Sequence, residues 1–152
     1  MVRRLQPGVI IDNRLEVSGE GRGSLYECDP KPYHGDFVSP EQIIPPEGIC
    51  DKNGDPMVWE ACFTMNNNWG YCANDHYYKP ASMLIKKLVE CVSKGGNMIL
   101  NVGPDAKGKF PKESSDILAE IGRWMKYNHD SIYGCVPAND IPKPDYGRVT
   151  RK

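Results

Sequence analysis

The sequence predicts an α/β fold of parallel strands, part of a (β/α)8 TIM-like barrel. Short apolar, β-branched runs end abruptly in polar residues, and two amphipathic helical stretches alternate with them. The chain has 152 residues, where a complete barrel takes about 250, so it can supply about half of one.

The first run, Val9-Ile10-Ile11, stops at Asp12-Asn13-Arg14 and reads as a buried strand with a polar C-terminal edge. Residues 18–56 carry Gly19, Gly21, Gly23, Pro30, Pro32, Pro40, Pro45, Pro46, Gly48 and Asn53-Gly54-Asp55. Such punctuation predicts a long loop, and long loops inside compact domains are usually functional or disordered. Strand character returns over Met57–Met65 and gives way to Asn66-Asn67-Asn68-Trp69-Gly70-Tyr71.

Between Pro80 and Lys94, the residues Leu84, Ile85, Leu88, Val89 and Val92 line one face of a helix. Gly95-Gly96 supplies its stop, because glycine adopts the left-handed C′ conformation without a Cβ clash. Asn97–Val102 reads as the next buried strand, closed by Gly103-Pro104-Asp105. A second helix over 111–128 places Ile117, Leu118, Ile121, Trp124 and Met125 together, with Pro111 tolerated at its start. Ser131-Ile132-Tyr133-Gly134 is a further short strand candidate.

Composition narrows the function classes. Nineteen Lys plus Arg against 20 Asp plus Glu leave a net charge of −1, which excludes a general binder of nucleic acid or acidic membrane. No apolar run approaches the ~20 residues of a membrane helix. Met1-Val2-Arg3-Arg4 leads into Leu5-Gln6-Pro7 rather than a signal-peptide core. Fifteen Gly and 13 Pro exceed the ~12% of average usage and mark a loop-rich chain. Of the six cysteines, none has Cys-x-x-Cys spacing, and Cys62 and Cys91 fall in apolar segments. Mostly free, packed thiols are expected, with a disulfide framework as the alternative. Cys72-x-x-x-His76 is too sparse for zinc, so no metal and no cofactor are expected.

Strand ends are where barrel enzymes collect catalytic groups. Asp12-Asn13-Arg14, Asn66–Asn68 and Asn101 with Asp105 occupy such places, and Asp36, Glu41, Glu47 and Glu60 offer carboxylates between them. Glycoside hydrolysis requires two carboxylates flanking a sugar bond, one held protonated. Taken singly, each of these also reads as a solvated surface carboxylate.

Several blocks resemble one family in consecutive order. Val9-Ile10-Ile11-Asp12-Asn13-Arg14, His34 through Gln42, Trp59 through Asn66 with Trp69-Gly70-Tyr71, and Val92 through Pro104 look like the retaining α-L-fucosidases. Ile121-Gly122-x-Trp124, Ile132-Tyr133-Gly134 and Pro144-Asp145-Tyr146-Gly147-Arg148 continue the likeness, which covers residues 6–148. The resemblance implies that residues 1–136 are the C-terminal half of a catalytic barrel. Residues 137–152 would be a linker and the start of a β-sandwich.

The implied reaction is double-displacement hydrolysis of α-L-fucosyl linkages. Its substrate would be a fucosylated glycan or glycoconjugate, with neither nucleic acid nor membrane as partner. By the resemblance, Glu41 is the acid/base, with Glu60 as second choice, and the nucleophile lies upstream of the Asp-Asn-Arg block. The chain is therefore expected to be inactive alone. Phe37, Val38, Ile43 and Ile44 would desolvate Glu41 and favour its neutral form if the loop folds inward.

Arg14 resembles an arginine directed at the sugar pocket, where a guanidinium suits both carboxylate and hydroxyl partners; a structural ion pair is the alternative. Trp69 resembles the aromatic that meets the apolar C6 methyl of fucose, against plain loop packing. His34 is a further substrate-binding candidate, against a solvated loop histidine. Trp59 and Trp124 read as core, and Asn101 as a cap of its own turn. The family likeness places the protein in a secreted, periplasmic or lysosomal setting. A noncatalytic carbohydrate-binding or interaction remnant is the rival reading, followed by a disulfide-rich structural module.

Overall fold

The computed structural model describes residues 2–15, 35–51 and 53–152. Its centre is a parallel pair, β1 (Trp59–Thr64) and β2 (Gly96–Asn101), joined by helix α2 (Ala81–Ser93). Trp59 faces Gly96 at one end of the register and Thr64 faces Asn101 at the other. Helix α3 (Lys112–Asn128) follows, and then a short antiparallel pair, β3 (Val136–Pro137) with β4 (Thr150–Arg151). A one-turn helix α1 (Val2–Leu5) and a 3-10 turn, Asn13–Leu15, lie at the N-terminal end.

Two further segments run parallel beside β1. Val38 N–H donates to the Val58 carbonyl at 3.0 Å and Glu60 N–H to that of Val38 at 2.9 Å, while Gln42 N–H reaches Cys62. Beyond it, Asp12 bridges Phe37, with Asp36 N–H donating to Ile11 and Asn13 N–H to Phe37. The chain thus lays 11–13, 36–42, β1 and β2 side by side in sequence order, all parallel. Ion pairing braces the first neighbours: Asp36 accepts from the Ile11 N–H at 2.8 Å and from Arg3 at 2.9 Å.

Alternation along the strands divides the sheet. Trp59, Ala61 and Phe63 point toward α2 and are buried with Val38 and Cys91, and Met98 and Leu100 pack against them. Burial pushes the Cys91 thiol up to about 12, the behaviour of a packed, inert sulfur. Gly96 is required beneath the Trp59 indole, because a Cβ there would lie 2.2 Å from the ring. Gly95, at φ +79°, ends the approach from α2 as expected. Arg148 reaches Glu90 of α2 at 2.9 Å and ties the C-terminal segment to the body.

Three expectations change. Val9–Ile11 is not a buried strand: among the described residues its neighbourhood forms only the Asp12–Phe37 bridge, and Ile10 is exposed. Apolar content alone misled there, since a β-branched run does not by itself set strand pairing. Residues 131–134 turn rather than extend, because the Ile132 and Tyr133 N–H groups both donate to the His129 carbonyl, and the next strand begins at Val136. Trp59 is core as expected, whereas Trp124 is half-buried with the rest of its apolar face. Cys50, Cys62, Cys72, Cys91 and Cys135 are free thiols; Cys28 lies outside the described residues. Among the described residues no helix is long and apolar enough to cross a membrane.

Candidate active site

The opposite face of the sheet carries Glu60, Cys62, Asn97 and Ile99, by the same alternation. Here Asp12, Arg14, Ser39, Glu41, Glu60, Cys62, Trp69 and Ile99 line a cavity of about 360 Å³. Arg14 is its organising group. Its Nη1 lies 2.7 Å from Glu41 Oε2, and its Nη2 donates to the Ser39 carbonyl and to Cys62 Sγ, each at 3.1 Å. Asn13 Oδ1 accepts from the Ser39 N–H at 3.1 Å, and the Arg14 N–H donates to Asp12, so the 3-10 turn is anchored to the segment carrying Glu41. Burial works against the Arg14 charge, but the hydrogen bond to Glu41 and the neighbouring Cys62, Glu41 and Asp12 outweigh it and hold the guanidinium above its ordinary value.

The two carboxylates are placed differently. Glu41 projects from the 36–42 segment with 47% of its side chain exposed and its oxygen on Arg14. Three of the four apolar neighbours expected to enclose it lie elsewhere: Val38 is in the core on the other face, Ile44 packs against that core, and Ile43 is exposed. Glu60 sits on the sheet itself. Desolvation, and then the charge of Asp12, push its carboxyl above the ordinary range against the pull of Arg14. Asp36, by contrast, is occupied by the Ile11 N–H and Arg3, which hold it below that range.

Trp69 projects from the loop after β1. Asn101 Nδ2 donates to the Trp69 carbonyl at 2.5 Å, so Asn101 braces the neighbouring loop rather than its own turn. His34 lies outside the described residues. The structure therefore brings Arg14, Glu41, Glu60 and Trp69 together around one cavity. Asp12 belongs to the strand-end cluster the sequence singled out, whereas Cys62 and Ser39 were missed as members of the cavity. The Arg14–Cys62 contact spans 48 positions, which no local spacing reveals. Among the described residues no group of three His, Cys, Asp or Glu side chains could hold a metal ion.

The α-L-fucosidase family model matches residues 1–130. The chain belongs to the α-L-fucosidase family. The α-L-fucosidase isoenzyme 1 of Paenibacillus thiaminolyticus is 51% identical with a TM-score of 0.88, over 100% of this chain and 34% of that one. The plasma α-L-fucosidase of Pongo abelii is 34% identical over 82% of this chain and 26% of its own length. An α-L-fucosidase of Bacteroides thetaiotaomicron, solved as a trapped covalent intermediate in complex with 2-fluoro-fucosyl fluoride, is 32% identical with a TM-score of 0.78, over 99% of this chain and 35% of that one. The chain thus spans about a third or less of these family members.

Proposed function

We propose that these residues form the C-terminal half of a (β/α)8 barrel that hydrolyses α-L-fucosyl linkages by double displacement. Residues 137–152 would lead into a β-sandwich. The observation that carries the reading is the Arg14–Glu41 pair, 2.7 Å apart in a cavity also lined by Trp69. Four parallel segments neighbouring one another in chain order support the barrel, and the covalent intermediate trapped in the Bacteroides enzyme supports double displacement. A fucosylated glycan is the substrate, and a secreted, periplasmic or lysosomal setting would supply it.

In this reading Glu41 donates a proton to the leaving oxygen, then removes one from the water that attacks the anomeric carbon and releases the nucleophile's carboxylate. Its contact with Arg14 suits the second half, when an ionised carboxylate must be held ready as base. Before the first half, Arg14 has to release Glu41 and turn its donors to the sugar hydroxyls or to the nucleophile. Trp69 covers the apolar edge of the 6-deoxy sugar. His34 is a further substrate contact. Glu60 is the second choice for acid/base, and its raised carboxyl is the property favouring it. The reading takes the nucleophile from a segment upstream of the Asp12-Asn13-Arg14 block, and on that assignment residues 1–152 alone are expected to leave an α-L-fucoside intact.

The test is a graft. Residues 1–152, exchanged for the matching third of the Paenibacillus enzyme, should restore turnover of an aryl α-L-fucoside that the isolated chain lacks. Fucose binding by a folded graft without turnover would favour the noncatalytic carbohydrate-binding reading. Robust turnover by the isolated chain, abolished by one of its own carboxylate substitutions, would place the nucleophile inside it.

A further inference from the structure

The Arg14 guanidinium divides its donors between two kinds of partner. Nη1 meets Glu41 Oε2 at 2.7 Å, while Nη2 donates to the Ser39 carbonyl and to Cys62 Sγ, each at 3.1 Å. The second pair is built into the fold. Ser39 and Asn13 are each 3% exposed, and the Ser39 N–H donates to Asn13 Oδ1, which fixes the residue whose carbonyl Arg14 uses. Cys62 is 8% exposed and lies on β1, bridged to Glu41 on one side and in register with Ile99 on the other. A side chain this short, on a strand paired at both edges, holds its sulfur in one place.

The reaction uses the two kinds of partner at different moments. Arg14 has to release Glu41 before proton donation, and that frees Nη1 for a sugar hydroxyl or the nucleophile. Among the described residues, the contacts that then remain on the guanidinium are the Ser39 carbonyl and Cys62 Sγ. Without them a long side chain regains its rotamer freedom, and ordering it again weakens the binding of whatever it holds. A thiol suits the task. It accepts from Nη2 while its own proton has acceptors in the Pro40 carbonyl and Glu41 Oε2, 3.8 and 3.7 Å away.

We propose that Cys62 is a positioning residue for fucoside hydrolysis: its sulfur anchors Arg14 Nη2 so that Nη1, once Glu41 is released, meets the sugar. The proposal rests on the fucose reading of the cavity and adds to it a residue that acts through Arg14. Because Arg14 grips the fucosyl part, fucosides with good and with poor leaving groups should feel the loss of Cys62 equally. That separates it from Glu41, whose loss falls on poor leaving groups.

Steady-state kinetics of the graft on an aryl α-L-fucoside and on a fucosyl disaccharide test it. Cys62→Ala should raise KM about tenfold on both substrates with kcat nearly unchanged, the pattern of a lost binding contact. Cys62→Ser keeps an acceptor and should stay within about twofold of the unsubstituted graft. Cys62→Val keeps the bulk without the acceptor and should follow Cys62→Ala, so the comparison survives if one of the two fails to fold. In an Arg14→Ala graft, Cys62→Ala should add nothing, because the contact it removes is already gone. Cys91→Ala, on the helix-facing side, is the packing control: it should lower Tm and leave KM alone. In an active graft, equal KM values for Cys62→Ala and Cys62→Ser, or the same rise in KM without Arg14, would overturn the proposal and leave the fucose reading intact. An unsubstituted graft that turns over no fucoside would end the fucose reading, and the role of Cys62 with it.

Discussion

The two faces of the β1–β2 sheet are built from alternate residues of the same strands and have opposite characters. Trp59, Ala61 and Phe63 are at most 2% exposed and close on α2, Val38 and Cys91. Glu60, Cys62 and Ile99 face a cavity edged by charged groups, and Ile99 is 46% exposed. A period of two lets one strand serve stability and chemistry at once, because substitution on one face leaves the other's contacts in place. The difference also predicts where mutations will hurt folding and where they will hurt only the site.

The largest effect belongs to the helix-facing side. Phe63→Ala should lower unfolding free energy by about 3–5 kcal/mol, read from urea denaturation, through lost burial and the void it leaves. Part of that loss is contact with the Lys87 ammonium, 4.3 Å from the ring centroid. A cost no greater than that of Glu41→Ala would break the comparison, since a half-exposed ion pair is worth only about 0–1 kcal/mol.

An intermediate effect is expected from Asp75, which braces the loop after β1. Burial pushes the Asp75 carboxyl up, but hydrogen bonds from Tyr77, Asn68 and Asn67 and the charge of Lys79 outweigh it, leaving the group below its ordinary range. The folded value lies below the unfolded one, so its stabilisation is present above the unfolded pKa and is lost as pH falls through the folded value. Asp75→Asn should therefore lower Tm near neutral pH, with the gap closing on strong acidification. A gap that persists unchanged into acid would assign the effect to packing rather than charge.

The smallest effect separates the two glutamates on the open face. Glu60 has its folded value raised, so the neutral form is favoured; that stabilisation is complete below the unfolded pKa and lost as pH rises through the folded one. Glu60→Gln should be neutral in acid and slightly stabilising above that window, by under about 1 kcal/mol at this partly exposed position. A loss of stability near neutral pH would show that Glu60 is held by partners favouring its charge.

Legibility from sequence followed the range of the interactions. The residues Leu84, Leu88 and Val92 mark α2 to within a residue at each end, since helical periodicity is local. β2 was found one residue late for the same reason: Gly96 lies under Trp59, a contact between strands 37 positions apart in sequence. Val9–Ile11 failed because apolar content does not fix pairing, and among the described residues the bridge falls at Asp12 instead. In the site, Arg14, Glu41 and Trp69 stood out through their family setting, whereas Cys62, Ser39 and the Asn101 brace depend on contacts between distant segments. Asp75 had a readable signal that was overlooked, its placement two residues before Tyr77 whose N–H it accepts, the pattern of an Asx turn.

The proposed function assigns proton donation to Glu41 and not to Glu60. Glu41→Ala and Glu60→Ala, compared in the graft, should be assayed on an activated aryl fucoside and on a fucosyl disaccharide, with and without azide. With Glu41 as the acid, Glu41→Ala should lose disaccharide hydrolysis far more than aryl fucoside hydrolysis, because only poor leaving groups depend on proton donation. Azide should partly restore its activated reaction, since a small anion attacks the glycosyl-enzyme without a base. Azide rescue in Glu60→Ala, and none in Glu41→Ala, would contradict that assignment and move the acid/base to Glu60.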